Sequence, residues 1–331
     1  MDLSGKKNIL IIRLSSLGDI LLTTPLIRSI KKKYPDIKID FILKEQYKEL
    51  LQYNPYLSRI FEYKKEPKGK GILIKTLKEN KYDLVIDLQN NFRSFQLRRI
   101  VKAPAVKFNK RTLSKFFLVN FKYNRLRNAA PIPQRYARAL DNFQLDEEGL
   151  DFYLPRSIKS QLGDFNKYIG FVPGSRHFTK MWPKQYYADL GNLLMSKGYI
   201  IVLFGGRQDI QICNELSTKI PGSINLCNDN KIFNTAIDMK KCRAVVTNDS
   251  GLMHIASSLN IFVLAVFGST VKEFGFMPYR CKNSILENIG LYCRPCTHIG
   301  KETCPENHFR CMLELSPQSA FDKLNTILKA Q

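Results

Sequence analysis

Short apolar runs rich in β-branched residues recur along the chain, separated by stretches with helical periodicity, and they fall into two series. The first comprises NILIIR (8–13), IKIDFIL (37–43) and YDLVIDL (82–88). The second comprises KYIGFV (167–172), YIIVLFGG (199–206), CRAVVTN (242–248) and IFVLAVFG (261–268). Runs this continuously apolar are strands buried on both faces, the arrangement of parallel sheets with crossover helices. Between the series, DEEGLDFYLP (146–155) breaks the pattern with acids, Gly149 and Pro155, as a hinge would. The expected fold class is therefore α/β, with two Rossmann-like domains, 1–155 and 156–331, facing across a cleft. After the first strand, ILLTTPLIRSIKKKY reads as one amphipathic helix, with Pro25 near its start or kinking it. Near the C-terminus Ser316 suits an N-cap and Pro317 the first helical position, which predicts a closing helix over about 317–329 that could pack on either domain.

Charge narrows the function. The 331 residues hold 52 Lys and Arg against 29 Asp and Glu, a formal charge of +23, yet 44% are hydrophobic. That much apolar material excludes a disordered basic tail, and the excess charge calls for an anionic partner. The distribution is uneven: residues 1–150 carry 31 basic and 15 acidic side chains, residues 151–331 carry 21 and 14. Between Asp87 and Asp141 there are 13 basic residues and no acid. The N-terminal apolar run is cut short by Arg13, and no stretch reaches the roughly 20 apolar residues of a spanning helix, so the expected location is cytoplasmic. All eight cysteines lie after residue 200, and in that compartment disulfides are not the default.

In open α/β sheets ligands bind where strands end and helices begin, because unpaired N–H groups and the helix dipole face that crevice. Three strand exits carry suitable residues. In RLSSLGD (13–19), Gly18 permits a tight turn and Asp19 stands at the helix start, either as a simple first-turn acid or as a carboxylate able to act as a general base. In PGSRHFTKMWP (173–183), Ser175, Arg176 and Lys180 suit a phosphate, and the only tryptophan lies beside Lys180. In TNDSGLMH (247–254), small polar residues and Gly251 at a helix start leave room for a diphosphate, while His254 reads more simply as a packed residue. No GxGxxG follows the first strand and no Walker loop occurs, which argues against a dinucleotide oxidoreductase and a P-loop enzyme.

Taken together and in order, ILIIRLSSLGDILLTTPLIRSIKKKYP, YDLVIDLQNNFRS, FVPGSRHFTKMWP, LFGG and VVTNDSGLMHIAS resemble the glycosyltransferase family that includes the ADP-heptose:lipopolysaccharide heptosyltransferases. The resemblance spans nearly the whole chain. It implies a GT-B fold with the acceptor on the N-terminal domain and the nucleotide-sugar on the C-terminal one. It further implies inverting, metal-independent transfer of heptose from ADP-heptose, with Asp19 as catalytic base and no cofactor required. Lys180 would neutralise the donor diphosphate, joined on the donor side by Ser175, Arg176, Asn248, Asp249, Ser250, Gly251 and His254. Arg93, with Ser16 and Gly18, would meet the acceptor.

An anionic lipopolysaccharide inner core on a membrane lipid would explain the acid-free basic run, and the enzyme would then work at the cytoplasmic face of the inner membrane. RTLSKFFLVNFKYNRLR (111–127) sets Phe116, Phe117 and Phe121 among bases and reads as a membrane-interface helix or as an ordinary helix over the core. Cys293, Cys296, Cys304 and Cys311, with His298 and His308 as alternatives, fit zinc spacing only loosely, and the expectation is no metal. Two rivals remain: the same family with another donor or acceptor, and a nucleic-acid-binding protein. The second leaves the three strand-exit motifs unused and lacks any recognised nucleic-acid motif, so no nucleic-acid partner is expected.

Overall fold

The computed structural model describes residues 1–329, which divide into two compact units. The first comprises Met1–Arg111 and Ala130–Tyr153; the second comprises Thr112–Ala129 and the described residues from Leu154 onward. The main crossing thus falls at Leu154, but the segment Thr112–Ala129 packs with the second unit, where 1–155 was expected to form one body. Its anchor is a small apolar cluster in which Leu118 and Leu126 meet Phe274.

The first unit is built on a parallel sheet of β1 (Asn8–Ile12), β2 (Lys38–Lys44), β3 (Arg59–Tyr63), β4 (Leu84–Asp87) and β5 (Ala105–Lys107), in the order β3-β2-β1-β4-β5. The second carries β6 (Tyr168–Val172), β7 (Ile200–Leu203), β8 (Ile224–Asn225), β9 (Ala244–Asn248), β10 (Phe262–Phe267) and β11 (Asn283–Glu287), in the order β11-β10-β9-β6-β7-β8, again parallel. The apolar runs become the inner strands, and β6, β9 and β10 are buried at every position.

Each sheet reverses its winding once. In the first the switch lies between β1 and β4, which pair Ile12 with Asp87; in the second it lies between β6 and β9, which pair Val172 with Thr247. Loops leaving the two strands at a switch part to opposite sides and open a crevice at their carboxyl ends. Those loops begin at Arg13 and Leu88 in one unit, and at Pro173 and Asp249 in the other.

Pro25 divides the expected long helix into Leu17–Leu21 and Thr24–Lys33. Lacking an N–H, Pro25 cannot satisfy the Leu21 carbonyl. The Thr24 hydroxyl does so at 2.8 Å, and Thr23 bonds the Ile20 carbonyl at 2.7 Å. The closing helix runs over Pro317–Leu328 with Ser316 accepting from the Ser319 N–H at 3.1 Å, and it buries Ala320, Leu324 and Leu328 in the second unit's core.

The acidic stretch before the crossing is tied to helix Thr24–Lys33 by one buried cation. Arg28, 1% exposed, donates to both oxygens of Asp146 at 2.8 and 2.7 Å and to the Gly149 carbonyl at 3.0 Å. It also pairs with Asp151 at 2.5 Å. These contacts hold the Asp146 carboxyl down at about 2, while burial pushes Asp151 up despite its arginine.

Candidate active site

At the first switch, residues 15–16 leave β1 and the helix Leu17–Leu21 starts with Ser16 as its N-cap. Asp19 folds back on that cap: its Oδ2 accepts from the Ser16 amide at 3.1 Å and the Ser16 hydroxyl at 2.7 Å. The other oxygen, Oδ1, meets Arg13 at 2.6 Å, and the Asp19 side chain keeps 17% of its surface exposed. Burial pushes the Asp19 carboxyl up, but the Arg13 guanidinium and the two Ser16 donors together hold it below the usual carboxylate range. The result is a carboxylate that stays ionised at a crevice edge.

Several residues that sequence reasoning did not single out build this arrangement. Arg13 donates to the Leu88 carbonyl at 2.5 Å and lies 5.6 Å from the centre of the fully buried Tyr136 ring. Gln89 accepts from the Leu14 and Ser15 amides at 2.9 and 3.2 Å, so the loop after β4 supports the loop after β1. Asp87, fully buried, takes the Gln89 and Asn90 amides on one oxygen and Arg98 at 2.9 Å on the other. Lys110 adds a second cation near Arg13, Asp87 and Asp19, its amine lowered by burial and then by Arg13. A charged residue set at the end of an apolar strand, as in NILIIR and LVID, was the available signal. Of the acceptor-side candidates, Ser16 and Gly18 lie in this loop, and Arg93 is exposed in the first turn of helix Phe92–Val101, directly after the Asp87 loop.

At the second switch Lys180 and Asp249 form an ion pair of 2.6 Å, with the Lys180 side chain 15% exposed. The Thr270 hydroxyl donates to Asp249 at 2.7 Å. Thr270 is fixed in turn by Arg294, which donates to the carbonyls of Gly268 and Thr270 at 2.6 and 2.9 Å and pairs with Glu287 at 2.8 Å. This one guanidinium, from the cysteine-rich CRPC segment, holds the loop after β10 against the lysine's carboxylate. Ser250 caps helix Gly251–Ser258 with extended backbone, and His254 is buried within that helix, in line with its simpler reading.

Asn248, a donor-side candidate, and Trp182, the neighbour of Lys180, are both packed inside the second unit. Asn248 is fully buried, and both ends of its amide are engaged: Oδ1 accepts from the Trp182 amide at 3.0 Å and Nδ2 donates to the Pro173 carbonyl at 2.8 Å. It joins the loops after β6 and β9 to each other. Trp182 is a core residue whose indole N–H reaches the Leu315 carbonyl at 2.8 Å, so its place beside Lys180 is explained by packing. Ser175 and Arg176 line a groove of about 420 Å3 with Gln208, Asp209 and Ile212. Gly174 is required there, because a Cβ would lie 2.0 Å from Asp209 Oδ1.

The cysteines are free thiols, and Cys293 Sγ lies 3.8 Å from His308 Nε2. Among the described residues, no three His, Cys, Asp or Glu side chains come together as a metal site. His298 lies instead near Lys115 and Lys180, its imidazole lowered by burial and by those two cations. Among the described residues, no helix is long and apolar enough to cross a membrane.

Residues 71–307 match the family model for glycosyltransferase family 9 (heptosyltransferase). The chain is 30% identical to the lipooligosaccharide heptosyltransferase 2 of Haemophilus influenzae, over 97% of this chain and 99% of that one. It is 26% identical to the lipopolysaccharide heptosyltransferase 2 of Escherichia coli K12, over 97% and 98%. Among solved structures, a glycosyltransferase family 9 protein of Veillonella parvula superposes with a TM-score of 0.80 at 24% identity, covering 100% of this chain and 99% of that one. The E. coli ADP-heptose lipopolysaccharide heptosyltransferase II gives 0.73 at 24%, covering 98% and 99%. The fold, two parallel α/β units, is of the GT-B type seen in those structures. With the family model covering most of its length and heptosyltransferases matching it from end to end, this chain is a glycosyltransferase belonging to family 9, the heptosyltransferases.

Proposed function

We propose that the protein transfers heptose from ADP-heptose to the anionic inner core of lipopolysaccharide, with inversion at the anomeric carbon. The reading rests on the opposite charges at the two switch points: an ionised carboxylate at one, and a lysine beside a helix N-terminus at the other. The first unit is assigned the acceptor and the second the nucleotide-sugar. Solved relatives include an E. coli heptosyltransferase determined with ADP, which supports the donor assignment.

Asp19 is the general base. Arg13 and Ser16 keep it ionised, so it takes the acceptor hydroxyl's proton as that oxygen bonds to the anomeric carbon and becomes acidic. The diphosphate leaves from the opposite face of the sugar, and negative charge grows on its bridging oxygen. Lys180, oriented by Asp249, has donors left for that charge, and the free N–H groups at the start of helix Gly251–Ser258 add to them. In this reading the charge stabilisation comes from the protein, and no metal is required. Ser175 and Arg176 bind along the donor, while Asn248 and Thr270 position the loops that carry its contacts. On the acceptor side Arg93, Lys110 and the crevice loop with Ser16 and Gly18 meet carboxylate or phosphate groups of the inner core. An acceptor on a bilayer lipid places the enzyme at the cytoplasmic face of the inner membrane.

The test is donor choice followed by transfer. Melting temperature is measured with ADP, UDP, GDP and CMP, then ADP-heptose is supplied with a Kdo-lipid A acceptor. Stabilisation by ADP above the others and formation of heptosylated product are expected; stabilisation by another nucleotide would move the protein to another donor.

A further inference from the structure

The segment Thr112–Ala129 is fixed to the second unit by one face only. Leu118 and Leu126 enter the cluster with Phe274, and Lys122 Nζ ties the end of the helix to the carbonyls of Cys293 and Pro295 at 3.1 and 2.8 Å. The rest of the helix Thr112–Phe121 turns large apolar groups outward: Leu113 is 73% exposed, Phe116 52% and Phe121 65%, followed by Tyr123 at 63%. The rings of Phe116, Phe117 and Phe121 lie 5.9 Å from one another, a preformed aromatic cluster. Exposed Arg125 and Arg127 follow it, and residues 111–127 contain five basic side chains and no acid. Glu273, the acid beside the segment, accepts from Asn124 at 3.1 Å.

Aromatic side chains held outward on an anchored helix, in a segment that carries cations and no acid of its own, match the boundary between anionic headgroups and acyl chains. We infer that this helix and the turn after it form a docking surface for an anionic phospholipid bilayer. The rings enter the headgroup region and the arginines pair with lipid phosphates. The inference rests on the proposed lipid-linked acceptor only for its biological purpose, since the surface is argued from its own residues.

Co-sedimentation of the full chain with vesicles of phosphatidylcholine alone, or of phosphatidylcholine mixed with phosphatidylglycerol, tests it. Binding to the mixed vesicles that weakens with added salt is expected. Arg125→Gln with Arg127→Gln should lower partitioning roughly thirtyfold on the anionic vesicles, at about tenfold for every 1.4 kcal/mol and about 1 kcal/mol per cation at the surface. Phe116→Ser with Phe121→Ser should lower it by at least about tenfold. The arginine pair lies outside the packed Leu118 face, so the test stays readable even if the phenylalanine pair loosens the helix. Absent binding, equal binding to neutral vesicles, or wild-type partitioning by the arginine variant would overturn the inference. Transfer to a water-soluble, deacylated acceptor should remain at the wild-type rate in both variants. Intact vesicle binding without any transfer would sink the proposed reaction and leave the docking surface standing.

Discussion

Arg28→Met removes the cation that holds three groups of the acidic stretch, and its cost can be worked from the geometry. The substitution keeps the stem's packing but leaves Asp151 buried without its partner at 2.5 Å, and Asp146 without two hydrogen bonds. Breaking a buried pair by deleting one partner costs about 3–5 kcal/mol. The Asp146 and Asp151 side chains are 20% and 13% exposed, so water recovers part of that, and about 3 kcal/mol is the expected loss. For a unit of this size that lowers the melting temperature by about 10 °C.

The pH dependence carries a second signature. Asp146 is depressed to about 2, so its share of stability is present above the unfolded carboxyl value and is lost as pH falls towards 2. Asp151 is already raised, so its ionisation opposes folding as pH rises through its folded value. Without Arg28 that opposition grows, and the variant should lose more stability than the wild type as pH rises above the unfolded carboxyl value of about 4. Adding Asp151→Asn should recover part of the loss. Circular dichroism melts at a series of pH values measure all three proteins. A variant within about 2 °C of the wild type, with the same pH profile, would refute the reasoning.

Arg13→Gln should shift the acid limb of the kcat/KM profile to higher pH, because a base is active only when deprotonated and Arg13 holds Asp19 below the usual range. An unmoved limb would show that some other group titrates. Gly174→Ala drives a methyl group into Asp209, which caps Gly206 at 2.9 Å, and should cost about 1–3 kcal/mol together with weaker nucleotide binding; calorimetric titration with ADP reads both losses if the melt is followed in parallel.

What was legible in the sequence follows from burial. β1, β2, β4, β6, β7, β9 and β10 announced themselves as apolar runs, and β1, β4, β6 and β9 are followed by the loops that carry candidate residues. The strands that went unread, β3, β5, β8 and β11, are the four sheet edges, where a half-solvated face leaves RIFEY, AVK, IN and NSILE without a continuous apolar signature. At the site, Asp19, Lys180 and Asp249 were legible because each follows a recognisable strand. Arg13 carried a local signal as the charged end of NILIIR, six residues before Asp19, but its hold on Leu88 did not; Gln89 was not legible, since its partners lie about 75 positions away, and Thr270 and Arg294 act on Asp249 through a relay no local pattern encodes. The buried bonds of Asn248 to the Trp182 amide and the Pro173 carbonyl, which join two loops 66 and 75 positions apart, were likewise not legible locally.

The central claim is that the Asp19 carboxylate takes the acceptor proton. Asp19→Asn keeps the side chain's size and its place beside Ser16 and Arg13 while removing its basicity. With ADP-heptose and a Kdo-lipid A acceptor, transfer measured by product formation should fall by about 100-fold or more, the scale of general-base catalysis, while ADP still binds with wild-type affinity. Transfer at a near-wild-type rate in that variant would contradict the assignment.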